Sequence, residues 1–187
     1  MNTAIAPKHW TYDDYLQLSD EIRYEILEGD LAMAPAPDSN HQITSMEVEF
    51  PMETFVRTQK LGIVLHAPID VILSKQVVLQ PDILFVSKER REIVQKRGVF
   101  GAPDIVIEIV SPGSVQADRY RKKDIYQEHG VREYWIIDPR NKSIEIFALT
   151  ERGYELHSIA EESGIVESIV LAGFTLDIEP IFQQLID

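Results

Sequence analysis

Gln80-Pro81-Asp82-Ile83-Leu84-Phe85-Val86 and, further on, Asp104-Ile105-Val106-Ile107-Glu108-Ile109-Val110-Ser111-Pro112-Gly113-Ser114 decide how this chain reads. The first is an apolar run headed by a Pro-Asp pair. The second is an apolar run interrupted by one carboxylate, followed by a short turn and a basic helix that carries Lys122 and Lys123. Side chains alternate faces along a strand, so Ile105, Ile107 and Ile109 share one side, and Val106, Glu108 and Val110 share the other. Either way Glu108 points among apolar neighbours, where an unpaired carboxylate is costly unless a cation or a set of hydrogen bonds compensates it. Asp82 heads the other run on the face of Leu84 and Val86. If the two strands pair, the two carboxylates converge. Oxygen ligands of this kind suit magnesium, which takes one or two carboxylates, keeps waters and bridges to a substrate phosphate. The plainer alternative is that Pro-Asp opens a strand and that Glu108 reaches an edge or pairs with a lysine.

At 187 residues the chain is long enough for one domain with a sizeable core and too short for two ordinary ones, so residues 1–187 are read as a single domain. No apolar stretch is long enough to span a bilayer, and Met1 to Lys8 lacks the charged and apolar regions of a signal peptide. Cysteine is absent, which excludes disulfides and thiolate metal sites. A cytoplasmic protein is expected. The net charge of -13 argues against a protein that simply coats nucleic acid. Charge is unevenly spread, however. Residues 151–187 carry eight acids against Arg152 alone, whereas residues 88–123 hold nine of the 18 basic residues against five acids. The basic charge therefore lies in sequence beside the suspected site, where a polyanionic substrate needs it. Solvated helix faces are the alternative.

Thr11 and Asp14 have the spacing of a capping box, with Trp10 and Tyr15 as its hydrophobic staple, and predict a short helix to about Leu18. Residues 22–34 read as two strands around Glu28-Gly29-Asp30, which places Glu25 on the face of Leu27 as a third carboxylate. Pro35, Pro37, Asp38, Ser39 and Asn40 form a loop. A helix follows from about His41, capped by Ser39 or Asn40, with an apolar stripe of Ile43, Met46, Phe50 and Phe55 or Val56. Pro51 predicts a kink or break within it. Strands are expected at about 63–73 and 76–86, a short basic helix over Lys88–Arg97, and a helix from about Ala117 to His129 that stops at Gly130. The rest reads as strands at Glu133–Asp138, 143–149 and 153–159, then a closing strand and a short helix. In the helix after the site, positions 118, 122, 125, 126 and 129 share one side. Ile125 and Tyr126 must be buried, so Lys122 points inward and Lys123 toward solvent. An inward lysine near two carboxylates is a transition-state cation for a phosphodiester, or else a snorkelling side chain over apolar surface.

Taken in order, Arg23-Tyr24-Glu25-Ile26-Leu27-Glu28-Gly29-Asp30, His41-Gln42, Gln80 to Val86, Gly101 to Pro112, Asp118, Lys122, Tyr126 and Gly130 to Asp138 resemble the Uma-type putative restriction endonuclease family of the PD-(D/E)XK nuclease superfamily. The resemblance implies an α/β (α+β) restriction-endonuclease-like fold, a mixed central β-sheet flanked by helices. It also implies metal-dependent hydrolysis of DNA phosphodiester bonds, with Mg2+ or Mn2+ on Asp82 and Glu108. The standard pattern places a lysine two residues after the second acid, where this chain has Val110. The family carries its lysine on the following helix, and Lys122 matches it. Glu25 matches a further acid, to complete the metal shell or orient the water. His41, Arg119, Arg121 and Lys123 are the candidate nucleic-acid contacts, although His41 also reads as structural. The turn of Ser111, Gly113 and Ser114 is open to a backbone approach to phosphate or to no role beyond turning the chain.

Two function classes remain. One is an active, metal-dependent DNA endonuclease, expected as a homodimer because cutting both strands of a duplex is most simply done by two sites. The other is a catalytically inactive module of the same fold that binds nucleic acid or protein. A small-molecule hydrolase has little support, since the chain lacks a Gly-x-Ser-x-Gly elbow, a His-Glu-x-x-His pair and a P-loop.

Overall fold

The structure, a computed structural model, describes residues 8–19, 22–34 and 36–186. Pro35 of the expected loop and residues 1–7 of the N-terminal stretch lie outside the described residues. In chain order the elements are α1 (Tyr12–Tyr15), β1 (Tyr24–Leu27), β2 (Asp30–Met33), α2 (Ser39–Gln59), β3 (Gly62–His66), β4 (Val71–Ser74), β5 (Val77–Leu79) and β6 (Ile83–Ser87). A 3-10 turn (Lys88–Ile93) leads to β7 (Val94–Gln95), β8 (Gly98–Phe100) and β9 (Ile105–Ile109). A π-helical turn (Ala117–Lys122) runs directly into α3 (Lys123–Glu128), followed by β10 (Glu133–Asp138), β11 (Ser143–Thr150), β12 (Gly153–Glu161), β13 (Ile165–Glu167), β14 (Thr175–Asp177) and α4 (Glu179–Gln183).

The strands make two six-stranded sheets, ordered β12-β11-β10-β9-β6-β3 and β2-β1-β5-β4-β8-β7, and a separate β13-β14 pair. The first sheet is mixed: β9 and β10 run parallel, and the other neighbours are antiparallel. Every residue of β9 is buried, as expected of a strand covered on both faces. Ile105, Ile107 and Ile109 pack with Val48, Met52 and Val56 of α2 and with the C-terminal Leu171, Phe174 and Phe182. Val106 and Val110 lie on the opposite face with Ile125 and Tyr126 of α3 and with Leu27, Val77 and Leu79 of the second sheet. This second layer is where Glu108 lies.

Several local expectations change in the fold. Each of the two long strands expected at 63–73 and 76–86 is split, and the halves belong to different sheets: β3 pairs β6, while β4 pairs β5. Pro68 and Pro81 sit at the interruptions, and proline has no N–H to give a ladder. The basic segment Lys88–Arg97 is not a helix throughout but a 3-10 turn and the first strand of a small hairpin. α1 ends at Tyr15, short of Leu18, although its Thr11–Asp14 capping box is present. The cap of α2 is Asp38, whose Oδ1 accepts the His41 N–H at 2.8 Å, rather than Ser39 or Asn40.

The helix α2 also presents a different stripe. Thr44, Val48, Met52 and Val56 are buried, whereas Met46 and Phe50 are 66% and 73% exposed. Thr44 can occupy a buried position because its hydroxyl donates to the Asn40 carbonyl at 2.8 Å. The helix continues unbroken across Pro51, with the fully buried Val48 and Met52 packed on the sheet on either side of the missing bond. Among the described residues no helix is long and apolar enough to cross a membrane.

One buried carboxylate anchors the C-terminal segment to the sheet. Glu133, at the start of β10, accepts from Trp135 Nε1 (2.6 Å), Ser168 Oγ (2.8 Å), Ile169 N (2.8 Å) and Val170 N (2.9 Å). Removing it leaves buried donors without acceptors, at roughly 1–3 kcal/mol each where no water reaches them. Glu133→Ala is therefore expected to lower the free energy of urea unfolding by about 3 kcal/mol. A loss under about 1 kcal/mol would mean that the anchor is not needed.

Candidate active site

The pairing of β6 with β9 brings the two sequence stretches together. Ile83 faces Ile107 and Leu84 faces Val106, so Asp82 and Glu108 stand opposite each other one position further on. Asp82 Oδ2 accepts the Ile109 N–H at 2.8 Å and meets His41 Nε2 at 3.1 Å. His41 comes from the first turn of α2, which Asp38 holds in place. Glu25 reaches the same region from β1, where its Oε1 accepts the Gln80 N–H at 2.8 Å. Gln80 is braced in turn: its Nε2 donates to Asp70 Oδ1 and Tyr15 Oη, and its Oε1 accepts from Arg23.

Lys122 closes the group. Its Nζ lies 3.0 Å from Glu25 Oε1, 3.2 Å from Glu108 Oε1 and 3.4 Å from Asp118 Oδ1. All four of these side chains are buried, at 8% exposure or less. One ammonium thus serves three carboxylates, and Asp82 adds a fourth acid within the same cavity of about 550 Å³. Burial pushes the Glu108 carboxyl well above the usual carboxylate range; Lys122 opposes the shift, while Asp118, Asp82 and Glu25 add to it. Burial likewise raises Asp118, again against the pull of Lys122. Burial alone would lower Lys122, but Glu108, Glu25 and Asp118 outweigh it and hold the amine well above its usual range. The same contest at His41, burial against Asp82, Asp38 and Asp118, ends with the imidazole raised. Tyr126, fully buried and pushed well up by that burial, remains a phenol and donates to Glu108 Oε1 at 3.0 Å.

The residues read as site residues therefore separate. Glu25, Asp82, Glu108, Lys122 and His41 come together, and Arg121 lines the same cavity. Arg121 is committed elsewhere, to Asp30 (2.7 Å), Glu28 (3.3 Å) and the Leu27 carbonyl (2.8 Å). Arg119 is outside the cavity, bonded to Glu145 (2.6 Å) and Asp138 (3.3 Å), and Lys123 sits 3.4 Å over the Phe147 ring. The Ser111–Ser114 turn is closed on itself, since the Ser111 N–H goes to Ser114 Oγ and the Ser114 N–H to the Ser111 carbonyl. Gly113 has open space around it, so no close approach requires glycine there.

Sequence reasoning does not single out Asp118 and Tyr126 as members of the group. Their signal lies in the spacing 118, 122, 126, which places both on the Lys122 side of a helix. The segment around Lys122 is a π-helical turn rather than the regular α-helix expected, a distortion frequent at functional sites. The chain also holds a second Pro-Asp pair, Pro103-Asp104, and only the fold distinguishes the two. Asp104 is wholly buried and structural, accepting from the Ser87 N–H (2.8 Å) and Arg90 (3.1 Å).

Among the described residues no three His, Cys, Asp or Glu side chains are gathered as a cage for a metal ion. The donor set nevertheless fits a hard divalent cation held by two carboxylates and waters, the usual arrangement for magnesium. Asp82 and Glu108 each use one oxygen, Oδ2 and Oε1, for the bonds described above. The excess of buried acid over Lys122 supplies the charge such an ion would balance.

The family described as "Putative restriction endonuclease" (Uma2) matches residues 12–179. The chain belongs to this family. No curated protein matches it. Among solved structures it is similar to a putative nuclease belonging to DUF820 from Anabaena variabilis, with a TM-score of 0.76 over 92% of this chain and 97% of that one, at 22% identity. The likeness shows the fold, which is restriction-endonuclease-like: α+β, with a mixed central sheet flanked by helices. The Uma2 match takes in Glu25, Asp82, Glu108, Asp118 and Lys122.

Because folding raises the Glu108 pKa above its ordinary 4.5, ionising it costs stability as pH climbs from that value toward the raised one. Glu108→Gln keeps an acceptor for Lys122 and Tyr126 while removing the charge. In chelator-treated protein it is expected to match the wild type at about pH 5 and to be the more stable of the two at about pH 8. Added Mg2+ should raise the melting temperature of the wild type and not of the variant. Thermal melts at both pH values check this; a wild type more stable than Glu108→Gln at the higher pH without cation would overturn it.

Proposed function

We propose that this chain is a metal-dependent nuclease that hydrolyses phosphodiester bonds of DNA, acting as one restriction-endonuclease-like domain. The observation that carries the reading is the cluster of Glu25, Glu108 and Asp118 around Lys122 beside Asp82, inside a cavity open to the surface. A fold does not need this arrangement for stability, because buried charge is costly and apolar side chains would serve better. Membership of a restriction endonuclease family supports phosphodiester hydrolysis, and DNA as its substrate.

Asp82 and Glu108 would hold Mg2+ or Mn2+, which when bound polarises a phosphate and lowers the pKa of a bound water. The remaining roles follow from the side chains themselves. Lys122 stays an ammonium at neutral pH, so it serves as a donor to the phosphate or to the attacking water and not as a base. Tyr126 and Lys122 fix one oxygen of Glu108. His41 and the Ile109 N–H fix one oxygen of Asp82. Glu25 also holds Lys122, at 3.0 Å from its Nζ, and so helps to set where its protons point. Water adds to phosphorus, one ester bond breaks, and the products are a phosphomonoester and a hydroxyl. Two copies in a homodimer would supply one such site for each strand of a duplex.

The test is cleavage of supercoiled plasmid with Mg2+ and then Mn2+. Wild type is expected to nick or linearise the plasmid, and Asp82→Asn, Glu108→Gln and Lys122→Met each to lose activity by about 100-fold or more. Circular dichroism confirms that the variants fold. Well-folded protein without activity under either metal would favour the inactive binding module, and full activity in Glu108→Gln would place the chemistry elsewhere. Sedimentation velocity reads the dimer directly.

A further inference from the structure

A second cavity of about 380 Å³ opens beside the first and shares Asp38, His41, Ser111 and Pro112 with it. Its remaining wall is apolar, from Val110, Pro139, Phe182, Leu185 and Ile186, except for Asn40, Arg140 and Lys142. Those two cations differ from the others near the site. Arg119, Arg121 and Lys122 are all held by carboxylates, and Arg23 is bonded to Gln80. Among the described residues neither Arg140 nor Lys142 forms an ion pair. Lys142 also borders Glu162 and Glu179 of a smaller cavity without pairing to either.

The wall is also held in place. Asp138 Oδ1 accepts the N–H groups of Arg140 and Asn141, and its Oδ2 accepts from the Asn141 side chain, so the turn that carries Arg140 and Lys142 is tied to the end of β10. Across the cavity, Asn40 and Ile186 exchange two 2.8 Å hydrogen bonds, which pin the C-terminal segment to the first turn of α2 beside His41. His41 lines both cavities, and its Nδ1 is buried without a hydrogen-bond partner.

We propose that this second cavity is the subsite for the nucleotide flanking the scissile phosphate, with Arg140 and Lys142 taking the neighbouring backbone phosphate and the apolar wall taking the base. The proposal rests on the nuclease reading above and deepens it. Cations that track the backbone, combined with an aromatic ring on which a base can stack, are how proteins bind a single strand without sequence preference, and Phe182 is the ring in this wall. In a chain of net charge -13 such cations, contiguous with a carboxylate-rich site, supply the attraction that the site itself cannot.

Two measurements test it with the double variant Arg140→Ala, Lys142→Ala. In a Glu108→Gln background, binding of a short fluorescein-labelled single-stranded deoxyoligonucleotide is followed by anisotropy against salt. The slope of log K on log salt is expected to fall by about 0.7, the value for the one phosphate of a single strand that the protein no longer neutralises. With Glu108 restored, the double variant should raise KM for the oligonucleotide about tenfold, with kcat nearly unchanged. Lys75→Ala, which removes an exposed charge at the β4-β5 turn, is expected to alter neither. An unchanged slope and KM, in a wild type that cleaves the oligonucleotide and also bis(p-nitrophenyl) phosphate, overturn the subsite and leave the nuclease reading standing. If the wild type cleaves neither substrate the nuclease reading falls, and the binding slope alone then decides the cavity: unchanged, it overturns the subsite.

Discussion

One ammonium group, Lys122 Nζ, stands within 3.4 Å of three buried carboxylates, Glu25, Glu108 and Asp118. These side chains come from β1, from β9 and from the turn before α3. The Gln80 N–H holds the Glu25 carboxylate and the Tyr126 hydroxyl that of Glu108, while the Tyr134 hydroxyl fixes the backbone of Asp118 through its carbonyl. The charge contact therefore ties both six-stranded sheets and the helix between them to a single point. Its electrostatics are unbalanced in the direction of acid, and burial keeps water from relieving the imbalance. Such a point costs stability, and proteins tolerate that mainly where function requires it.

The fold provides the frame by a division of labour within one strand. On one side of β9 three isoleucines pack against α2 and the C-terminal segment. On the other, Val106 and Val110 pack with Ile125 and Tyr126 around Glu108. The strand is secured by its apolar residues, and its one carboxylate is presented at a fixed depth. Asp82 is placed in the same way, at the end of β6 where Pro81 interrupts the ladder and Gln80 is braced by three side chains. Precise positioning of acids on strands, with hydrogen bonds behind them, is what catalysis by electrostatics needs.

Charge is distributed on the same plan. Most basic side chains near the site are spent on internal pairs, which orders the helix and hairpin but leaves little free positive charge for a polyanion. Among the described residues, Arg140 and Lys142, in the Pro139–Lys142 turn, are the cations of the second cavity that no carboxylate holds.

Much of this is legible in the order of residues along the chain. Alternation in Ile105–Ile109 places Glu108 opposite the isoleucines, the Pro-Asp pair places Asp82 at the head of its strand, and helical spacing turns Lys122 inward with Ile125 and Tyr126. These are local consequences of strand and helix periods, and they hold wherever the element packs. Local pattern does not show that Asp82 rather than Asp104 is the acid of the site, because both follow proline and only the partners differ: His41 and Ile109 for one, Ser87 and Arg90 for the other. It selects Met46 and Phe50 for the buried stripe of α2, where the sheet covers Val48 and Met52, since apolar residues lie on both sides of that helix. It offers Arg119 and Lys123 as nucleic-acid contacts, though Glu145, Asp138 and Phe147, distant in sequence, claim them. Which strand ends meet, and which charges find partners there, depends on pairings between remote segments, and these are settled only when the chain folds.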